Sequence, residues 1–221
     1  MRYYRRDYSN KRFDVSKTVF RKKCLEATNA LGSHNKKYRD NKLNNALQKI
    51  IKKIPHKNVL MYWPMKQEAD IRKTVHTLRK QGNVLLPFMQ ESSFKMVPFR
   101  LPLKSKKFGI LESGNSHKNI NKTDVAIVPI VGVDSEGRRI GFGKGMYDRF
   151  FPSLRNTPII IFVQTQLCMS NESICDDYDI KADMLVTPKH NYAALRTNNV
   201  KRNTFRRWRG HYKRGNRVFY L

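Results

Sequence analysis

Residues 134–150 read Asp134-Ser135-Glu136-Gly137-Arg138-Arg139-Ile140-Gly141-Phe142-Gly143-Lys144-Gly145-Met146-Tyr147-Asp148-Arg149-Phe150. Glycines at alternate positions 141, 143 and 145 let backbone amides approach an anion closely. Lys144 stands among them, and Arg138 and Arg139 come just before. Met146, Phe150 and Leu154 then recur every fourth residue, which predicts a helix whose amino end points at the same anion. The pattern is not a Walker loop, because Gly145 follows the lysine where Ser or Thr should stand. Met146 likewise denies it the third glycine of a dinucleotide fingerprint. The combination predicts a phosphate-binding loop, with an ordinary glycine-rich turn as the plain alternative. Asp148, in the helix's first turn, reads either as a carboxylate at a helix end or as a magnesium ligand.

Other candidates are sparser. Lys17 and Arg21, spaced i, i+4, place two cations on one helical face, a pattern that alone is usually a solvated face. The six histidines are scattered and fit no Ser–His–Asp or Cys–His arrangement. Three cysteines (Cys24, Cys168, Cys175), an odd number without a CxxC pair, argue against a disulfide framework or a zinc module. They suggest a reduced, cytoplasmic protein.

The elements that must position the loop follow from periodicity. Ser16 can cap a helix running to about Leu31, with Val19, Phe20, Leu25 and Ala27 available for burial and Gly32 ending it. Leu43, Ala46, Leu47, Ile50, Ile51 and Ile54 have helical spacing and stop at Pro55. Apolar runs of strand length then end at proline three times: 59–63 at Pro64, 83–86 at Pro87 and 125–128 at Pro129. A helical segment through Ile71, Val75 and Leu78, ended by Gly82, joins the first two runs, so those strands should be parallel. A fourth run covers 158–163. Continuous rather than alternating apolar strands imply a sheet covered on both faces. The expected fold is α/β: an open, mainly parallel sheet with helices on both faces, three-layered and Rossmann-like. Ligands of such sheets gather at the carboxyl ends of the strands.

The chain has 221 residues, 39% hydrophobic, enough for one domain with a core. Its apolar runs fall far short of the roughly 20 residues of a membrane span. The first fifteen residues carry no apolar stretch behind their charges, so no secretory signal is expected. Lys and Arg number 45 against 17 Asp and Glu, a net charge of +28. Residues 189–221 hold ten of the cations and no acid, interleaved with aromatics as in Phe205-Arg206-Arg207-Trp208-Arg209. Arginine on phosphate with aromatic stacking is one way to hold single-stranded nucleic acid; a solvated basic appendage is the plainer reading. The organisation expected is a basic arm over 1–15, one α/β domain over 16–188 and a basic, aromatic-rich extension over 189–221.

The stretch Gly137-x-Arg139-Ile140-Gly141-x-Gly143-Lys144-Gly145-x-Tyr147-Asp148-Arg149 resembles the signature of the 5-formyltetrahydrofolate cyclo-ligase (5,10-methenyltetrahydrofolate synthetase) family. Four weaker blocks agree in the family's order. Lys17-x-x-x-Arg21 looks like its amino-terminal nucleotide-contacting pair. Trp63-Pro64-Met65-Lys66-Gln67-Glu68-Ala69-Asp70 is similar to its segment after the first strand, whose glutamate contacts folate. Phe108-Gly109-Ile110-Leu111-Glu112 matches its Gly-Ile-x-Glu stretch. Tyr178-Asp179-Ile180-Lys181-Ala182-Asp183 resembles the carboxyl-terminal segment whose first Asp is a magnesium ligand. The resemblance spans about 16–188. Met146 departs from the family's usual aromatic, the proline usual before Asp179 is missing, and 168–177 reads as altered or lengthened.

The resemblance implies an enzyme, a ligase that converts 5-formyltetrahydrofolate to 5,10-methenyltetrahydrofolate with ATP and Mg²⁺, releasing ADP and phosphate. Its ATP-binding residues would be Lys17, Arg21, Arg139, Gly141, Gly143, Lys144, Gly145 and Tyr147, with Arg139, Lys144 and Tyr147 catalytic. Trp63, Met65 and Glu68 would hold the folate, although the first two also read as core and Glu68 as the start of the helix at Ile71. Asp148 and Asp179 would hold magnesium. A polyglutamylated substrate could meet Lys66 or Lys73. Neither composition nor motif chooses between monomer and homodimer. Two readings compete: a nucleic-acid-binding protein acting through 189–221, and an ATP-using enzyme of the same fold with another substrate.

Overall fold

A computed structural model describes residues 16–106, 110–194 and 205–207. The arm 1–15, Phe108, Gly109 and the rest of the stretch after 194 lie outside the described residues.

Ser16 caps the first helix, α1 (Lys17–Asn29), its hydroxyl accepting from the Val19 N–H at 3.4 Å. Gly32 does not simply end that helix; it is the N-cap of α2 (Ser33–Ile51), which starts ten residues before its first apolar position, Leu43. The polar first turns of α2 are expected of a helix that packs only its second half. The remaining helices are α3 (Arg72–Arg79) and α4 (Met146–Phe150).

Among the described residues there are twelve strands, numbered in chain order. They are β1 (Asn58–Leu60), β2 (Asn83–Met89), β3 (Phe94–Pro98), β4 (Lys104–Ser105), β5 (Leu111–Glu112) and β6 (Val125–Pro129). Then come β7 (Gly132–Val133), β8 (Arg139–Ile140), β9 (Ile159–Val163), β10 (Met184–Val186), β11 (Asn191–Ala194) and β12 (Phe205–Arg207). Eight of them form one sheet in the order β12-β11-β10-β9-β6-β1-β2-β3. The inner five strands, β2 through β10, pair in parallel, while β3, β11 and β12 pair antiparallel at the two edges. The expected mainly parallel α/β sheet is what forms.

Both faces are covered, and the strands alternate between them. Val59, Met61, Val84, Leu86, Val125, Ile127, Ile161 and Val163 pack under α2 and α3 with Leu43, Leu47, Ile51 and Val75. Leu60, Leu85, Ala126, Val128, Ile160 and Phe162 face the opposite layer, where Phe94, Tyr147 and Phe150 close the core. No described helix is long and apolar enough to cross a membrane.

Three local expectations are corrected. Pro87 does not end its strand: β2 runs on to Met89, paired with β3. Since β1 pairs only with Asn83–Leu85, Pro87 lacks its N–H on a side where no strand needs it. Val19 is 48% exposed and Ala27 is exposed too. The cause is that α1 touches the body along one narrow line, with only Cys24 fully buried. Finally, Cys24 and Cys168 are joined by a disulfide, where the odd count had suggested thiols throughout. Sequence spacing cannot show a pair that meets across 144 residues.

The chain reverses its winding at β1, which has β2 on one side and β6 on the other. That switch point opens a crevice outside the carboxyl ends of β1 and β6.

Candidate active site

Two loops leave those strand ends. The loop after β1 is folded on itself by its own polar groups. The Tyr62 hydroxyl donates to the Ala69 carbonyl at 2.7 Å, and the Glu68 Oε2 accepts from the Met65 N–H at 2.8 Å. Lys36, from α2, donates to the Glu68 carbonyl at 2.9 Å and to Asp40 at 2.8 Å. Glu68 is thereby buried, 8% exposed. Burial pushes its carboxyl from an ordinary 4.5 up to about 7, against the pull of the Met65 N–H, Arg139 and Lys36.

The loop after β6 turns through a small hairpin of β7 and β8. Asp134, fully buried, shapes it by accepting from the Glu136 and Arg138 N–H groups at 3.0 and 2.8 Å. Arg139 then lies 6% exposed, its Nη1 donating to Asp148 Oδ2 at 3.0 Å and its guanidinium 5.0 Å from the centre of the Tyr147 ring. Its Nε is buried without a partner among the described residues. A Cβ at Gly141 would come within 2.4–2.7 Å of that guanidinium, so only glycine leaves it room. Arg21, reaching over from α1, donates its Nε to the Gly141 carbonyl at 2.7 Å.

Gly143 and Gly145 take positive φ, +92° and +58°, which turns the loop into α4. Arg149 ties the turn down, donating to the Lys144 carbonyl and to that of Ser92, each at 2.5 Å. The Lys144 side chain is exposed. The helix expected through Leu154 is shorter: α4 has five residues and passes into a 3-10 turn over Phe151–Ser153. A helix of that length offers little of the dipole that the longer one was expected to aim at an anion. Tyr147 packs under this turn against Phe94, and burial pushes its phenol upward, so it stays protonated.

A third segment closes the crevice. Lys17 pairs with buried Asp179 and, at 3.3 Å, with Asp176. Burial alone would lower the Lys17 ammonium, but Asp179 outweighs it and leaves its pKa raised. Asp148 Oδ1 accepts from the Ile180 N–H at 3.2 Å, so the two aspartates expected to hold magnesium sit on adjoining stretches of chain. Arg138 fixes that stretch through the Asp177 carbonyl and carboxylate, both at 2.8 Å. Among the described residues no group of three or more His, Cys, Asp or Glu gathers as a self-sufficient metal site would require. Two carboxylates do fit magnesium, which takes one or two and completes its shell with phosphate oxygens and water.

The structure therefore brings Lys17, Arg21, Arg139, Gly141, Tyr147, Asp148 and Asp179 together, with Glu68 close enough to feel the Arg139 charge. Trp63 is drawn the other way. Its half-buried ring lies 5.7 Å from both His76 and Phe99, on the side of the sheet under α3. Ile110 and Glu112 lie apart; the Glu112 carboxylate accepts from the Met89 N–H at 3.1 Å and serves the β2 end. Asp134, Asp176 and Lys36 were not singled out in the sequence. Only Asp134 carried a signal, as an Asp opening a turn that reaches Gly137.

Comparison with known proteins decides the family. The model of the 5-formyltetrahydrofolate cyclo-ligase family matches residues 14–188. The chain belongs to that family. It is thus an enzyme of the cyclo-ligase class. The 5-formyltetrahydrofolate cyclo-ligase of Mycoplasma pneumoniae is 24% identical over 174 residues, 78% of this chain and 98% of the relative. That of Haemophilus influenzae is 27% identical over 134 residues, 57% of this chain and 72% of the relative. The solution structure of Aquifex aeolicus 5,10-methenyltetrahydrofolate synthetase superposes with a TM-score of 0.68 at 25% identity, covering 93% of this chain and 99% of that one. This cyclo-ligase chain runs past the family match at 188 into β11 and β12, which add two antiparallel strands to the β10 edge.

Behind the Glu68 loop lies a cleft of about 870 Å³ between the end of α1, the first turns of α2 and the start of α3. Lys36, Lys37, Lys66 and Lys73 line it, against Asp40 and Asp70.

Proposed function

We propose that this cyclo-ligase closes 5-formyltetrahydrofolate to 5,10-methenyltetrahydrofolate in the cytoplasm, with ATP and magnesium, releasing ADP and phosphate. The observation that carries the reading is the convergence at one switch point of a buried, partly unsatisfied guanidinium and a buried carboxyl that titrates near neutrality. The first suits a phosphate; the second suits the polar edge of a pterin.

The difficulty of the reaction is the leaving group, since a formamide oxygen does not depart unaided. Transfer of the γ-phosphoryl group of ATP to that oxygen makes it a phosphate ester. N10 of the same molecule then attacks the formyl carbon, the C–O bond breaks with phosphate leaving, and N10 gives up its proton. Joining two atoms of one ligand is chiefly a matter of orientation. Phosphoryl transfer asks for positioning and neutralisation of charge more than for covalent help.

The chain's residues divide this work. Arg139 sets a buried positive charge beneath the anion, with Asp148 and the Tyr147 ring holding the guanidinium in place. Lys144 and the amides around it face phosphate from one side, and Arg21 and Lys17 on α1 from the other. The Glu68 carboxylate accepts from pterin N–H donors, and Met65, whose own N–H holds Glu68, walls the same pocket. Trp63 acts on the pterin only through the Phe99–His76 cluster it joins. Asp148 and Asp179 would hold magnesium, which supplies charge neutralisation to the phosphates. The acidic glutamate end of the folate, or a polyglutamate, suits the lysine-lined cleft behind the Glu68 loop.

Following methenyl absorbance with 5-formyltetrahydrofolate, Mg²⁺ and ATP tests the proposal. A signal that requires ATP and falls in Lys144→Ala and Glu68→Ala is the expected result. Folded protein giving no ATP-dependent signal would refute it. ATP hydrolysis without methenyl formation would favour a different substrate on the same site.

A further inference from the structure

Helix α1 is held to the body by few contacts. Of its thirteen residues only Cys24 is fully buried. Phe20 and the Cys24 sulfur rest on Gly132, where a Cβ would come within 2.9 and 3.2 Å of them. Its other anchors are polar: Lys17 to Asp179 and Asp176, and Arg21 to the Gly141 carbonyl. A helix of this length is marginal in water without tertiary support. The covalent anchor is the bridge to Cys168, with Cα atoms 5.8 Å apart. Cys168 itself is rigidly placed, its N–H donating to the Gln164 side chain at 3.3 Å and its carbonyl accepting from the Val133 N–H at 3.0 Å.

We propose that Cys24 and Cys168 form a thiol–disulfide modification site, a clasp that fixes α1, and with it Lys17 and Arg21, against the glycine loop. Its effect on nucleotide affinity rests on the function proposed above; its effect on α1 does not. In a reducing compartment such a pair spends most of its time as two thiols and closes when the poise shifts.

The partner in the exchange is a small disulfide such as oxidised glutathione. Cys168, half-buried beside exposed Leu167, is the more exposed residue of the pair, whereas Cys24 is enclosed. The Cys168 thiolate attacks one glutathione sulfur, the glutathione S–S bond breaks, and one glutathione leaves. The Cys24 thiolate then attacks the Cys168 sulfur of that mixed disulfide, forming the bridge and expelling the second glutathione. The two departing thiolates take up the two protons that the cysteines gave, so two thiols are oxidised and one disulfide is reduced. Cys175 does not compete. Burial, with Asp134 beside it, pushes its thiol well above the usual range, and its sulfur faces the Arg138 and Arg139 carbonyls.

The full chain is equilibrated with oxidised glutathione or with a phosphine reductant. Amide exchange of peptides within 16–30 and ATP affinity by calorimetry are then measured in parallel. On reduction we expect α1 exchange to rise about tenfold and ATP to bind several-fold more weakly. Cys168→Ser should show the reduced behaviour in both buffers, and Cys175→Ser should switch as the parent does. Alkylation of all three cysteines after oxidation, or α1 exchange that ignores the reductant, overturns the clasp. So does a change in exchange with no change in the affinity of ATP that does bind. If ATP binds in neither state while α1 exchange still switches, the nucleotide reading fails and the clasp stands.

Discussion

Glu68 is the residue at which stability and function oppose each other. Its carboxyl titrates near 7 in the folded chain and near 4.5 when exposed. The unfolded state therefore loses this proton first as pH rises, and stability falls between those values and levels off above 7. The gap corresponds to about 3 kcal/mol carried by the folded state at alkaline pH. Glu68→Gln, which keeps an acceptor for the Met65 N–H, should be more stable than the parent at pH 8 and no more stable at pH 4.5, by urea melts. The same change should cut kcat/KM about 30-fold at pH 8, the loss of one charged hydrogen-bond acceptor. In the parent, kcat/KM should rise through pH 7 as the carboxylate forms; in the variant that rise should vanish. Gly141→Ala moves the two effects in the same direction. Its Cβ would press on the buried Arg139 guanidinium and displace the Arg139–Asp148 pair, so thermal stability should fall along with activity. A loss of about 100-fold in kcat together with a lowered melting temperature is the expected outcome. The residue types of this site were legible because glycines and cations cluster within a dozen positions. Lys36 and Asp176 were not, because each acts on a partner at least 32 residues away, Glu68 and Lys17, and no local pattern marks such a partner.

At the scale of elements, legibility followed burial. The strands β1, β6 and β9 read directly as apolar runs, since a sheet covered on both faces leaves no polar alternation. Helix α1 misled, because its periodic apolar positions implied a buried face where the structure gives only a line of contact around Cys24. The short α4 misled for a related reason: Phe151-Pro152 carries the apolar spacing on, but as a 3-10 turn. What the sequence could not express is the tie that compensates α1 for its small buried face. Cross-linking residues this far apart in sequence constrains the unfolded chain strongly, typically by about 2–4 kcal/mol. Urea unfolding of Cys168→Ser should therefore show a loss of that order relative to oxidised parent. Against reduced parent the same variant should show almost none.

The whole molecule is cationic beyond what its site requires. Of the +28 net charge, only a handful of residues stand at the crevice, and many others are exposed elsewhere, such as Lys49 in the last turn of α2, Lys52 and Lys53 just after it, and Lys80 at the end of α3. Charges so placed lie away from the crevice residues, yet their summed field attracts anionic ligands and raises the rate of encounter. Screening shortens that field to about 10 Å at 0.1 M salt and about 3 Å at 1 M, while the buried Arg139–Asp148 contact is hardly affected. The consequence is a split between kinetic parameters. At low substrate, kcat/KM should fall several-fold from 0.05 to 0.5 M salt, with kcat nearly constant. Changing the four lysines to glutamate removes eight of the 28 charges without entering the site. That variant should start with a lower kcat/KM at low salt, show a flatter salt slope, and converge with the parent at high salt. If the parent's slope survives the change, the salt-sensitive step lies at the crevice cations themselves, and the outer lysines play no part in gathering the substrates.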